Sequence, residues 1–349
     1  MGDIRQQVTD QIVAMMEQEG GVPPWRKSWS TAGGLQYNSA SGAAYKGINQ
    51  LVLSISPAAG SGDVRWLTYK QAQGLGVQVR KGEHGTQIVK MVEVSRRQAA
   101  QEADAGGEVL AEDGTKALVM RAYTVFNASQ IDGMAPMPER ECNVSCADAV
   151  EQIVFGLQGT GLKVNFGQGF QPCYIPRTDE VRCPPVSAFD SLDDFHASLL
   201  HESAGHGSQS MKRLAMMSFD PPRFGTADYA RLELVAELVS AQLGAELGLP
   251  MGPSLIQSHA SYLASWLRVL KGDKNEIFRA AANAQKICDY VTELAVKSQP
   301  LVVREVANGP KPDGLIVSAN QSTNGDMVHQ RNPFRGSNQE PKRRPKTAL

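Results

Sequence analysis

The sequence predicts an α+β fold in two parts: a front half of mixed helix and strand, and a mainly helical second half with a small sheet. Three observations predict it. Short alternating apolar runs separated by glycine turns fill the region from about residue 35 to residue 135. A Pro-rich stretch, "DGMAPMPER", follows them. Beyond it, apolar residues recur at helical spacing in several long segments ending near residue 298.

The elements follow in order. "MGDIRQQVTDQIVAMMEQ" places Val8, Ile12, Met15 and Met16 on one helix face, and the glycines of "EGG" stop it. "VPPWRKSWS" is an aromatic and basic turn, and "NSASGAAYKGINQLVLSIS" runs from a loop into an apolar segment. "RWLTYKQAQGLG" reads as a strand and a glycine-stopped helix, and "VQVRKGEHGTQIVKMVEV" as two strands around a tight turn. The polar, acidic segment 96–116 is expected to be a flexible hairpin loop before the strand "ALVMRAYTVFNASQI". "SCADAVEQIVFGLQGTG" is a serine-capped helix, and "KVNFG", "PCYIP" and "DEVRCPP" are short strands. Ser191 with Asp194 opens the helix "SLDDFHASLLHESAGH" as a capping box. Three long helices follow, beginning at "TADYARLE", "PSLIQSHA" and "KNEIFRAA". The expected division is 1–135, 136–300, and a disordered polar tail, 301–349, with a basic end.

Thirty-five basic against 36 acidic residues leave a net charge of −1, so bulk charge names no partner. Five scattered cysteines without a CxxC pair argue against a disulfide framework and for reduced thiols in a cytoplasm. Cys142 and Cys146 could form half of a zinc site, but no second half is visible. No apolar run approaches the roughly 18 residues a membrane span needs. A cytoplasmic, membrane-free protein is expected.

The chemistry concentrates in "SLLHESAGHGSQS", residues 198–210, which nearly spells the zinc-hydrolase signature H-E-x-x-H. His201 and Glu202 are in place, but the second histidine is His206, five residues on instead of four. On a regular helix, residues four apart differ by about 40° around the axis and residues five apart by about 140°. A π-bulge would restore the facing. Alternatively, the helix ends at Gly205 and His206 swings back. Glu233 and Glu237 lie one turn apart on a later helix. Glu233 is assigned as third ligand and Glu237 as an acceptor fixing a histidine tautomer, and the reverse assignment stays open. Glu202 is then the general base and zinc the expected ion. The bland alternative is a polar helix face carrying unconnected histidines, His196, His201 and His206.

At this point the residues resemble the ArdC-type antirestriction proteins, whose front part is shared with TraC-type plasmid primases. The resemblance spans most of residues 5–298. It rests on "PPWRKSW", "NSASGAAYKGIN", "RWLTYKQAQGLGVQVRKGEHGTQIV", "YTVFNASQIDG", "YIPRTDEVRCPPVSAFDS", "ADYARLELVAEL" and "YLASWLRVLKGDKNEIFRAAANAQK". It implies a single-stranded-DNA-binding domain followed by a zincin-like metallopeptidase domain, in a protein that shields incoming plasmid DNA from restriction. The family pattern places a Thr-Gly-His and an Arg-Leu after H-E-x-x-H. Here "HESAGHGSQSMKRL" carries one residue more before Arg213-Leu214 and lacks the Thr-Gly-His, which puts peptidase activity on a peptide or protein substrate in doubt.

The front half suits the implied partner, single-stranded DNA bound without sequence preference. Residues 20–98 contain ten basic and three acidic residues with aromatics between them. Single strands bind by phosphate neutralisation and base stacking, about 1–3 kcal/mol per stacked base. Candidate contacts are Trp25, Arg26, Lys27, Tyr45, Lys46, Trp66, Tyr69, Lys70, Arg80 and Lys81. The tryptophans would serve equally well as core. "RKGEHGT" reads either as a phosphate-holding turn or as a hairpin with solvated charges. No primase carboxylate cluster is visible, so a role as DNA-synthesis accessory ranks last.

Overall fold

The structure is a computed structural model and describes residues 3–18, 23–25, 34–104, 109–113, 116–138, 145–249 and 253–298. Helix α1, Ile4–Gln18, buries Val8, Ile12, Val13 and Met16. A mixed sheet follows, built from β1 (Tyr37–Asn38), β2 (Arg65–Leu67), β6 (Lys116–Asn127) and β4 (Thr86–Ser95) in that spatial order. Strand β5, Val109–Asp113, also pairs with β6. β1 and β2 run parallel, and the other pairs are antiparallel. Between strands lie α2 (Ile48–Ser54) and α3 (Tyr69–Gly74). Thr68 opens α3 with a capping box to Gln71. β3, Gln78–Val79, pairs with β7, Ile131–Asp132.

The second half starts with α5, Cys146–Gln158, capped by Ser145. A three-stranded sheet follows, in the order β8 (Lys163–Phe166), β10 (Glu180–Cys183), β9 (Cys173–Ile175). Then come α6 (Leu192–Leu199), a π-helix (Leu200–Gly207), α7 (Ala227–Leu247), α8 (Pro253–Gly272) and α9 (Glu276–Ser298). The architecture is the expected mixture of helix and strand. Among the described residues, no helix is long and apolar enough to cross a membrane.

Two expectations change. Segment 96–116, expected as a flexible loop, holds helix α4, Arg96–Asp104, and β5. Ser95 and Gln98 bond each other's backbone, an S-x-x-Q capping box that starts the helix. Ala99 anchors it against Val94, Ala117 and Val119. The boundary at 135 does not separate two cores. One apolar cluster joins Val8, Ile12, Met16, Trp25 and Leu51 to Leu238, Trp266, Leu270 and Ile287. Helix α1 packs on α8, and Thr9 donates to the Lys274 carbonyl at 2.8 Å. The tail 301–349 lies outside the described residues.

Candidate metal centre and nucleic-acid surface

Ser191 caps α6, its hydroxyl accepting from the Asp194 amide at 3.0 Å, and Asp193 and Asp194 favour the positive helix end. The helix then widens into the π-helix over Leu200–Gly207. With i→i+5 bonding, positions five apart return to one face. The imidazoles of His201 and His206 therefore meet, with ring centroids 5.0 Å apart. The alternative, a helix ending at Gly205, is not what the chain does. Gly205 has another reason to be glycine: a Cβ there would lie 2.8 Å from the Ala236 Cβ and 2.9 Å from its Cα on α7. The π-helix sits against α7 with no room for a methyl group.

That contact brings α7 to the histidines. Glu233 Oε2 lies 3.4 Å from His201 Nε2 and 3.5 Å from His206 Nε2. All three donor atoms fall within 4.8 Å of one another. Two ligand atoms about 2.1 Å from one ion at a tetrahedral angle stand about 3.4 Å apart, so the set fits a divalent cation. Burial opposes charge on both partners, yet they charge each other. Burial lowers the His206 pKa, and the Glu233 carboxylate more than offsets this, raising it above the ordinary value. Burial likewise raises Glu233, and His206 and His201 override it and hold the carboxyl far below its usual range.

Glu202, beside His201, lines a cavity of about 500 Å³ with both histidines and Glu233. Glu237 is fully buried one turn further on, and its Oε1 accepts from the Trp25 indole at 3.2 Å. Cys173 is also on the cavity wall. Burial and then the Glu202 charge push its thiol up, and they push Cys183 up to about 12. Both thiols stay protonated at neutral pH and make poor nucleophiles.

A further element was missed from the sequence. Arg213, fully buried, donates to both oxygens of Asp179 at 2.8 and 3.1 Å, to the Gly207 carbonyl at 3.0 Å and to Thr160 Oγ1 at 2.7 Å. It pins the end of the π-helix to the turn between β9 and β10. The carboxyl of Asp179 would be raised by its burial, but Arg213 and Tyr174 hold it below its ordinary value. The signal lay in the Asp of "RTDE" and the Arg of "MKRL", 34 positions apart.

The front-half candidates divide. Trp25 and Trp66 are corrections: both are fully buried, so neither offers a face to a base. Trp66 donates to Gln36 Oε1 at 2.5 Å, as Trp25 does to Glu237. Each indole N–H has an internal acceptor, which makes burial of so large an apolar ring favourable. Arg26 and Lys27 lie outside the described residues. Arg80 is exposed, but its guanidinium is committed to Glu83, the Ser129 carbonyl and Asp132, so it staples the turn to β7. Lys46 pairs with Asp289 on α9 at 3.0 Å. Tyr45 is half-buried and accepts from Asn38. Tyr69, Lys70 and Lys81 are exposed.

The strand register adds further residues to the front half's candidates. Lys90 on β4 is directly opposite Arg121 on β6, and Tyr123, opposite Ile88, is the next residue on that face. Tyr123 is 38 % exposed. The only acid on β4, Glu93, points to the other face and pairs with Lys116 at 2.5 Å. The alternation in "RAYTVF" was the available signal.

Comparison with known proteins gives three findings. A family model described as the N-terminal domain of anti-restriction factor ArdC matches residues 2–126, and one described as a zincin-like metallopeptidase matches residues 149–283. The crystal structure of the Mn(II)-bound antirestriction ArdC protein from plasmid R388 is 35% identical with a TM-score of 0.67, over 85% of this chain and 100% of that one. Among curated relatives, a DNA primase TraC of Escherichia coli is 37% identical over 82% of this chain, and the chain spans only 27% of that relative's length. The protein y4eC of Sinorhizobium fredii is 37% identical over 87% of this chain and 96% of its own.

Proposed function

This chain belongs to the family of ArdC antirestriction proteins, and on that premise we propose that it is a cytoplasmic single-stranded-DNA-binding protein of a mobile element with a zinc centre at its back. The convergence of His201, His206 and Glu233 carries the metal reading. Lys90 and Arg121 beside Tyr123 on one sheet face support the DNA reading, as do the exposed side chains of Tyr69, Lys70 and Lys81 elsewhere in the front half. Cations neutralise phosphate and exposed rings stack on any base, so sequence-independent binding follows.

A fluorescent oligonucleotide tests the first reading. Anisotropy is expected to show binding that weakens at least about tenfold between about 50 and 200 mM salt, with duplex bound less well. Binding insensitive to salt, or restricted to duplex, would sink it.

His201, His206 and Glu233 would hold the cation, which supplies Lewis acidity to a water and a carbonyl. Glu202, which lines the same cavity, would accept the proton from the attacking water. The second reading, a peptidase localised by DNA, rests on Glu202 facing that same cavity. It predicts proteolysis abolished in Glu202→Gln with metal content unchanged. Elemental analysis of the purified chain distinguishes zinc from manganese.

The pH dependence has a defined sign. A ligand histidine must be neutral, and the His206 pKa lies above 6.5. Metal affinity is therefore expected to fall as pH drops through that raised value, because the ion must displace the His206 proton. Glu233, held far below its usual range, stays ionised and adds no slope there. Titration calorimetry across pH 6 to 8 reads this, and a flat profile would show that the ion displaces no proton from His206.

A further inference from the structure

We infer that Asp194 is a specificity-determining residue, giving the metal-site cavity a preference for a basic side chain, lysine or arginine, of an extended polypeptide. The inference rests on the peptidase reading of that cavity. Three observations carry it. Asp194 is 4 % exposed, and its Oδ1 is buried with no hydrogen-bond partner. The residue lines the cavity together with Ser198, His201 and Glu202. Among the described residues, the cavity wall carries three carboxylates, Asp194, Glu202 and Glu233, and no lysine or arginine.

Helix capping does not use this carboxylate. A complete capping box would turn it back to accept from the Ser191 amide, but only the bond from the Asp194 amide to the Ser191 hydroxyl is made. Gln71 and Gln130, one methylene longer, do close their boxes. The positive end of α6 is already met by Asp193, which is only half-buried and keeps its water. A buried carboxylate without a partner is costly, and a charge-assisted donor removes the cost. The fold supplies no such donor, so the fitting partner is a cation that arrives with a guest. The torsion that orients a carboxyl group is soft, so the unbonded oxygen turns to meet it.

Spacing sets which guest group arrives. Positions 194, 198 and 201 fall on one helix face. At a rise of 1.5 Å per residue, Asp194 stands about 10 Å from His201 along the axis. An extended chain covers that distance in about three residues. The cation is therefore a side chain two or three residues from the bond at the metal site. Phe189 and Met217 on the same wall offer apolar surface to its methylene stem.

Peptide hydroxamates grip the ion without being cut, so calorimetry on the zinc-loaded chain tests the preference apart from turnover. A tripeptide hydroxamate with lysine farthest from the hydroxamate is expected to bind at least about tenfold tighter than its norleucine counterpart, and the glutamate form weakest. In Asp194→Asn the lysine-to-norleucine ratio is expected to fall within twofold of one. In Asp194→Lys the glutamate probe becomes the tightest of the three. A ratio within twofold of one in the native chain would overturn the inference, as would an unchanged ratio in Asp194→Asn with native circular dichroism. If acetohydroxamate binds and no tripeptide probe improves on it, the peptidase reading falls and the preference with it. A native chain that takes up no zinc would overturn the metal-centre reading beneath both.

Discussion

Arg213→Ala is expected to destabilise the fold by about 3–5 kcal/mol, the largest single effect foreseen outside the ligands. Arg213 and Asp179 are 0% and 1% exposed, so removing the cation strands a carboxylate in a dry site. Three further acceptors, the Gly207 carbonyl, Ser210 Oγ and Thr160 Oγ1, lose a donor at the same time. Lys212 lies 3.4 Å from Asp179 and is half exposed, so it screens part of the loss without replacing the fork. The midpoint of thermal unfolding is expected to fall by roughly 6–20 °C. Arg213→Ala with Asp179→Ala should recover part of that, because no charge is then left unpaired. A single-variant loss below about 1 kcal/mol would show that this ion pair is not what closes the π-helix.

Gly205→Ala is expected to reduce both stability and metal affinity. Its Cβ would come 2.8 Å from the Ala236 Cβ, 2.9 Å from its Cα and 3.2 Å from its carbonyl oxygen. Two of those three atoms are main chain of α7 and cannot rotate aside. Overpacking of this kind costs about 1–3 kcal/mol. The helices relieve it by separating, which carries His206 away from Glu233. A shift of a few tenths of an ångström matters when the ligand gaps are 3.4 and 3.5 Å. Zinc affinity is expected to drop at least about tenfold. Adding Ala236→Gly removes the nearest atom and is expected to restore part of both losses. Denaturant unfolding and chelator competition read the two effects, and a variant normal in both would refute the tight approach.

Local chemistry explains what the sequence made legible. Ser145, Ser191 and Thr226 cap the helices their side chains announce. The i+5 spacing of His201 and His206 translated into a π-helix because backbone bonding within eight residues decides it. Glu233, one turn before Glu237, followed from helix periodicity. The failures were non-local. Trp25 reads as a surface ring beside Arg26 and Lys27 until Glu237, 212 positions later, supplies its acceptor. Arg80 reads as a free cation until Asp132 arrives beside it, 52 positions on. Helix α4 was a different lapse: "SRRQ" was readable, and the acidic, glycine-bearing context outweighed it.

Helix α1 has its partners at the opposite end of the chain. Thr9 bonds the carbonyl of a residue 265 positions away, and Arg5 bonds Asn275. A ribosome adding about 5–20 residues per second needs roughly 13–53 s to deliver those partners. During that interval the stripe of Val8, Ile12 and Met16 is newborn and unsheathed. The final docking event thus awaits translation of α8 and the turn carrying Lys274 and Asn275, and until then this stripe is open to chaperone capture or clumping.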